Sequence, residues 1–207
     1  MTSGIYNLFP TPVSMRESWR EPTIDERGFF ADIQSKERKQ NIGNTHTLDN
    51  YILDAPEMTE LKKDLTIAIN SYFQEVWKPK YNVKIYITIS WVNYTEMGQY
   101  HHMHHHSNSA ISGVYYIDTD ESDKITFATP HQELLTMRVH PQEWNIWNSD
   151  EWYIHTPKNS LVLFPSTLHH MVSPTTNPRT RVSLSFNTFF EGRLNDELQE
   201  ITLTSSG

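Results

Sequence analysis

Eleven histidines are spread over 207 residues, and five of them fall in one short window, His101-His102-Met103-His104-His105-His106. Such a tract has two readings. It is a solvated stretch that takes up nickel or zinc adventitiously, or it is one arm of a metal site. The second reading needs ligands that converge from separate segments and an open coordination position. A later group bears on the choice. His169 and His170 follow an apolar run at 161–164 through Pro165-Ser166-Thr167-Leu168, and Arg181 and Ser183 lie downstream. Two residues apart, Arg181 and Ser183 share one face of a strand. An arginine that projects inward is costly unless it meets an anion. A guanidinium suits a carboxylate in bidentate fashion, and the serine hydroxyl adds a donor beside it. The competing reading makes Arg181 a solvated charge on an edge strand. H-x-H early and H-x10-R-x-S late therefore suit a metal next to an anion site.

Such residues need rigid elements to hold them. Residues 1–22 read as an extended lead-in with three prolines. Thr23 and Glu26 have capping-box spacing, which predicts a helix with Phe29, Phe30 and Ile33 on its apolar face. It fades into a solvated basic stretch at 36–41. Asp54 and Glu57 suit the N-terminus of a second helix. Leu61, Leu65, Ala68, Ile69, Tyr72, Phe73 and Trp77 follow at helical spacing, and Lys78-Pro79-Lys80 ends it. From about residue 82 the pattern changes to β-rich runs at 83–91, 111–117, 124–127, 152–155, 161–164 and 181–190. Turn-forming clusters lie at 118–123, 157–159 and 174–178. Two helices followed by many short strands predict an α+β, mainly β fold, a sandwich or barrel packed on helices. One domain is expected over 1–207, with lead-in and helices at 1–80, a β core at 81–192 and a tail at 193–207.

Composition narrows the function classes. Seventeen Lys and Arg against 25 Asp and Glu give a net charge of −8, which argues against nucleic acid or an anionic membrane as partner. The absence of cysteine excludes disulfide scaffolds, thiolate zinc sites and cysteine nucleophiles. Six Trp, 10 Tyr and 9 Phe supply a core that the modest aliphatic content would leave thin. Residues 1–10 lack the pattern of a signal peptide and no run approaches a membrane span, so a cytoplasmic protein is expected. A homodimer is compatible with these features.

The chain resembles the iron(II)- and 2-oxoglutarate-dependent oxygenases, built on the double-stranded β-helix, or jelly-roll. The resemblance rests on His104-His105-His106, on Ser112-Gly113-Val114-Tyr115-Tyr116, on Phe164-Pro165-Ser166-Thr167-Leu168-His169-His170, on Arg181-Val182-Ser183-Leu184-Ser185-Phe186-Asn187, and on an opening Leu8-Phe9-Pro10-Thr11-Pro12-Val13. It implies a jelly-roll with N-terminal supporting helices. It implies that His104, His106 and His170 hold Fe(II), and that Arg181, with Ser183 beside it, binds the distal carboxylate of 2-oxoglutarate. By the same resemblance Tyr116 reaches that carboxylate and Asn93 contacts the co-substrate. The implied activity is a dioxygenase reaction: 2-oxoglutarate and O2 are consumed, succinate and CO2 form, and a C–H bond of a protein side chain or small metabolite is hydroxylated. The alternative is a cupin-like metal-binding jelly-roll indifferent to 2-oxoglutarate. A further alternative is an interaction module with an incidental histidine tract.

One departure stands out. Most of the superfamily places Asp or Glu where His106 stands, and a third neutral ligand leaves the site one negative charge short. That weakens Fe(II) binding, raises the iron's potential or favours zinc or nickel. His102 and His104 also form an H-x-H, and the spacing to Ser112-Gly113 selects His104 and His106. His101, His102 and His105 read as rim or supporting residues, and His169, alternating with His170, should face away from the metal. His46, His131, His140 and His155 read as ordinary surface or core residues. Trp144, Trp147 and Trp152 either pack on the sandwich or wall the substrate cleft. Residues 118–123 resemble a fragment of a calcium loop and read as a solvated hairpin turn. Asn93-Tyr94-Thr95 is a glycosylation sequon read as unused.

Overall fold

A computed structural model describes residues 4–128, 140–176 and 178–204. His131, and the part of the long connection before residue 140, lie outside them. Thr23 caps α1 (Ile24–Gln34) as expected: its hydroxyl accepts from the Glu26 amide, and the Glu26 carboxylate accepts from the Thr23 amide at 2.8 Å. Glu26 is fully buried, and Arg20 satisfies it through two hydrogen bonds of 2.5 and 2.6 Å. The second helix, α2 (Thr59–Val76), starts later than Asp54 and Glu57 suggest. Those two residues lie in 3-10 turns at Ile52–Asp54 and Pro56–Met58 that lead into it.

The strands are β1 (Ser14–Arg16), β2 (Arg38–Gln40), β3 (Thr45–Thr47), β4 (Lys84–Thr95), β5 (His101–His104), β6 (Ile111–Asp118), β7 (Lys124–Ala128), β8 (Glu151–His155), β9 (Leu161–Pro165), β10 (His169–Val172), β11 (Arg181–Arg193) and β12 (Thr202–Leu203). The described residues form two antiparallel sheets. The larger runs β1-β9-β6-β11-β4-β3-β2, with β12 on β11, and the smaller runs β5-β10-β7-β8. Two facing sheets with helices behind the larger one form the expected double-stranded β-helix.

Alternation in β11 explains how the layers stack. Val182, Leu184 and Phe186 point outward into a core shared with Leu61, Leu65, Ile69 and Phe73 of α2. Arg181, Ser183, Ser185 and Asn187 take the opposite face, toward the smaller sheet, and all four are buried. A row of buried polar side chains is tolerated only where partners meet it. A second apolar cluster of Val114, Tyr116, Ile125, Phe127, Val162 and Phe164 closes the rest of the space between the sheets.

Two local features aim the histidines. In the β5–β10 pairing, His104 faces His170 and His101 faces Val172, so β5 carries one extra residue, a β-bulge. The bulge turns both His101 and His104 to the inner side. The segment 118–123 corrects the hairpin reading: β6 and β7 belong to different sheets, so it carries the chain across the sandwich, and Asp123 at its end is buried.

Candidate metal and co-substrate site

A cavity between the sheets is lined by all seven residues singled out above, namely Asn93, His104, His106, Tyr116, His170, Arg181 and Ser183. One ring nitrogen from each of His104, His106 and His170 lies within 4.8 Å of the others. Their second nitrogens determine the tautomers. His104 Nδ1 donates to the His102 carbonyl at 2.7 Å and His170 Nδ1 to the Leu168 carbonyl at 3.0 Å. His106 Nδ1 lies 2.7 Å from Ser112 Oγ, which itself donates to Asn187 Oδ1 at 2.8 Å. The serine proton is thereby committed, so His106 Nδ1 is the donor. Burial, with the neighbouring His104 adding to it, holds His106 at about 4 and His170 at about 2, and burial also lowers His104. Three neutral imidazoles thus keep Nε2 unprotonated, the form a metal requires.

His101 stacks on His104 with ring centroids 4.3 Å apart. Asn41 Oδ1 accepts from the Ile42 amide, which turns its Nδ2 toward His101 Nε2 at 3.1 Å and leaves the His101 proton on Nδ1. The alternative register, His101, His102 and His104, also gathers three ring nitrogens within 4.8 Å. All of them come from β5, however, whereas His104, His106 and His170 join two segments. His169 packs on His105 at 4.7 Å, away from the cluster, as alternation required.

Arg181 sits at the other end of the cavity, and only 4% of its side chain is exposed. Among the described residues its guanidinium lies 5.4 Å from the Tyr116 ring centre and interacts with the Tyr116 side chain, makes a long hydrogen bond to the Lys124 carbonyl at 3.5 Å, and approaches Asp123 Oδ1 at 3.9 Å. A buried cation so sparsely bonded suits a ligand carboxylate. Burial raises Tyr116 to about 12, against the opposing pull of Arg181, so its phenol keeps a proton to donate. Ser183 lies opposite both Asn93 and Tyr116 in the sheet. Asn93 lines the cavity with its amide already engaged: Oδ1 accepts from Trp91 Nε1 at 3.2 Å and Nδ2 donates to Ser185 Oγ at 2.9 Å.

Several residues escaped the sequence reading. Ser185 and Asn187 continue the i, i+2 row from Arg181, and extending that alternation finds them. Ser112 stands in a quoted motif without a role. Asn44, 1% exposed with an unpartnered Oδ1 at the cavity wall, has no sequence signal, and Asp123 was hidden in a turn-forming cluster. Trp144, Trp147 and Trp152 are exposed rather than packed on the sandwich. Trp152 pairs with Phe127, which pairs with His170, so its backbone lies two strands, about 10 Å, from that of His170.

The architecture is the double-stranded β-helix fold, shared with solved structures. The epimerase SnoN, solved with Fe3+, alpha ketoglutarate and nogalamycin RO, has TM-score 0.62 at 14% identity, over 95% of this chain and 92% of that one. HygX from Streptomyces hygroscopicus, with nickel and 2-oxoglutarate bound, has TM-score 0.58 at 7% identity, covering 86% and 82%. A Pseudomonas putida prolyl-4-hydroxylase has TM-score 0.56 at 13% identity, covering 86% and 92%. At such identities these structures establish the fold. No curated protein sequence matches the chain. Residues 89–187, which contain all seven singled-out residues, match the family model described as "Putative 2OG-Fe(II) oxygenase". That match spans just under half of the chain and contains the candidate metal and co-substrate residues.

Proposed function

We propose that this chain is a 2-oxoglutarate- and Fe(II)-dependent oxygenase that hydroxylates a C–H bond of a protein side chain or small metabolite. In this reading His104, His106 and His170 hold the metal through Nε2, and Arg181 takes the distal carboxylate of 2-oxoglutarate. The supporting observation is that three neutral imidazoles with free Nε2 atoms and one sparsely bonded buried guanidinium line a single cavity. The donor set fits Fe(II), and also nickel or zinc. When bound, Fe(II) and 2-oxoglutarate supply oxidative decarboxylation to succinate and CO2, coupled to oxidation of the substrate by O2.

The chain's own residues position and exclude. Ser112, Asn187 and two backbone carbonyls fix the imidazole tautomers. Tyr116 and Ser183 add hydroxyl donors beside Arg181, while Asn93, held by Trp91 and Ser185, offers its second N–H to the co-substrate. Val114 and Ile125 keep the cavity wall apolar. Trp152, half-exposed at the sheet edge, is the wall for the primary substrate. The test is an anaerobic Fe(II) titration with and without 2-oxoglutarate. A visible charge-transfer band that needs both components, and that Arg181→Ala loses while still binding metal, supports the reading. Iron binding without the band, or binding of zinc alone, favours the cupin-like alternative.

A further inference from the structure

The third imidazole leaves a question of charge. In a site of two histidines and one carboxylate, the ligand carboxylate, the two negative charges of 2-oxoglutarate, the two positive charges of the metal and the guanidinium cancel. With His106 in place of the carboxylate, the same set keeps one positive charge in a buried space, which is costly. Asp123 supplies the missing charge elsewhere. Its carboxylate is buried, its Oδ1 lies 3.9 Å from Arg181, and its Oδ2 accepts the Asp120 amide at 2.8 Å.

We propose that Asp123 sets the charge of the co-substrate site: it balances the three-histidine centre and competes with the distal carboxylate of 2-oxoglutarate for Arg181. The inference rests on the reading that Arg181 receives that carboxylate. Competition outweighs preorganisation because Arg181 is already placed without Asp123. Its register on β11 fixes the backbone, the Tyr116 ring supports one face of the guanidinium, and the Lys124 carbonyl takes one N–H. What Asp123 adds is a second anion within a few ångströms of the incoming carboxylate. In a buried site of intermediate dielectric such a pair weakens binding by about tenfold or more. The consequence is an oxygenase with deliberately weak hold on its co-substrate and a reduced preference for a charged tail.

The experiment is calorimetric titration of nickel-loaded protein with 2-oxoglutarate and with the analogue whose distal carboxylate is a carboxamide. Asp123→Asn is expected to bind 2-oxoglutarate about tenfold more tightly, with the carboxamide analogue unchanged, and Asp123→Glu is expected to return to wild-type affinity. Equal or weaker 2-oxoglutarate binding by Asp123→Asn overturns the inference while leaving the Arg181 reading intact. Failure of the wild-type protein to bind 2-oxoglutarate overturns both. Should Asp123→Asn not fold, the wild-type protein alone decides. A preference for 2-oxoglutarate over the carboxamide of less than about tenfold supports the inference, and a larger one overturns it.

Discussion

Removing a single hydroxyl tests how the third imidazole is held. Ser112 is fully buried, and its Oγ meets His106 Nδ1 at 2.7 Å, Asn187 Oδ1 at 2.8 Å and Ser166 Oγ at 2.7 Å. Ser112→Ala removes the nearest acceptor of His106 Nδ1–H and the donor to Asn187 Oδ1, leaving His106 only its weaker interaction with the Asn187 side chain, while Ser166 retains Ser109 at 2.7 Å. A poorly satisfied buried group costs about 1–3 kcal/mol, so the variant should lose about that much stability. In a chain of this size that lowers the melting temperature by roughly 2–12 °C. With its nearest acceptor gone, the His106 proton is held less firmly on Nδ1 and can move to Nε2, where it blocks a metal. Loss of such a support typically weakens metal affinity about 10- to 100-fold. Anaerobic calorimetric titration with Fe(II), alongside thermal unfolding of the metal-free variant, reads both effects. Wild-type metal affinity in a folded Ser112→Ala protein would refute the tautomer argument.

Three further outcomes are expected. In Gly113→Ala the new Cβ overlaps the Phe186 ring and comes within 2.8 Å of Leu163 Cδ2; overpacking there should cost about 1–3 kcal/mol, and an unchanged melting temperature counts against it. Metal-free protein should lose stability as pH falls from 7 to 5. His106 lies at about 4 in the fold against 6.5 unfolded, so the unfolded chain takes the proton first, at about 2 kcal/mol by pH 5. Urea midpoints that stay flat over that range would contradict the buried neutral imidazoles. His170→Ala should abolish stoichiometric metal binding and His169→Ala should not, since His169 packs on His105; equal loss in both would remove the assignment of faces.

Much of this arrangement is legible in the residues. The capping box at Thr23, the apolar stripe of α2 and the Arg181-x-Ser183 alternation are local patterns, and local patterns survive folding. What stayed hidden depends on contacts distant in sequence. β5 consists of three histidines and a methionine, residues without strong strand preference, and forms because β10 pairs with it. Its bulge follows from that pairing, so the inward turn of His101 could not be read from alternation. Asp123 illustrates the opposite error. A cluster of Asp, Ser and Thr ordinarily marks solvated chain, but here the segment crosses between sheets and its last carboxylate is drawn inside beside Arg181.

The two faces of β11 divide labour in a way that bears on how such a site can change. Val182, Leu184 and Phe186 anchor the strand to α2, while Arg181, Ser183, Ser185 and Asn187 carry little apolar burial of their own. Replacements on the inner row that keep their hydrogen-bond partners therefore leave the main source of cohesion intact. A chain built this way can be re-lettered for another tail, another metal or another substrate one alternate residue at a time, on a backbone whose position is set from behind.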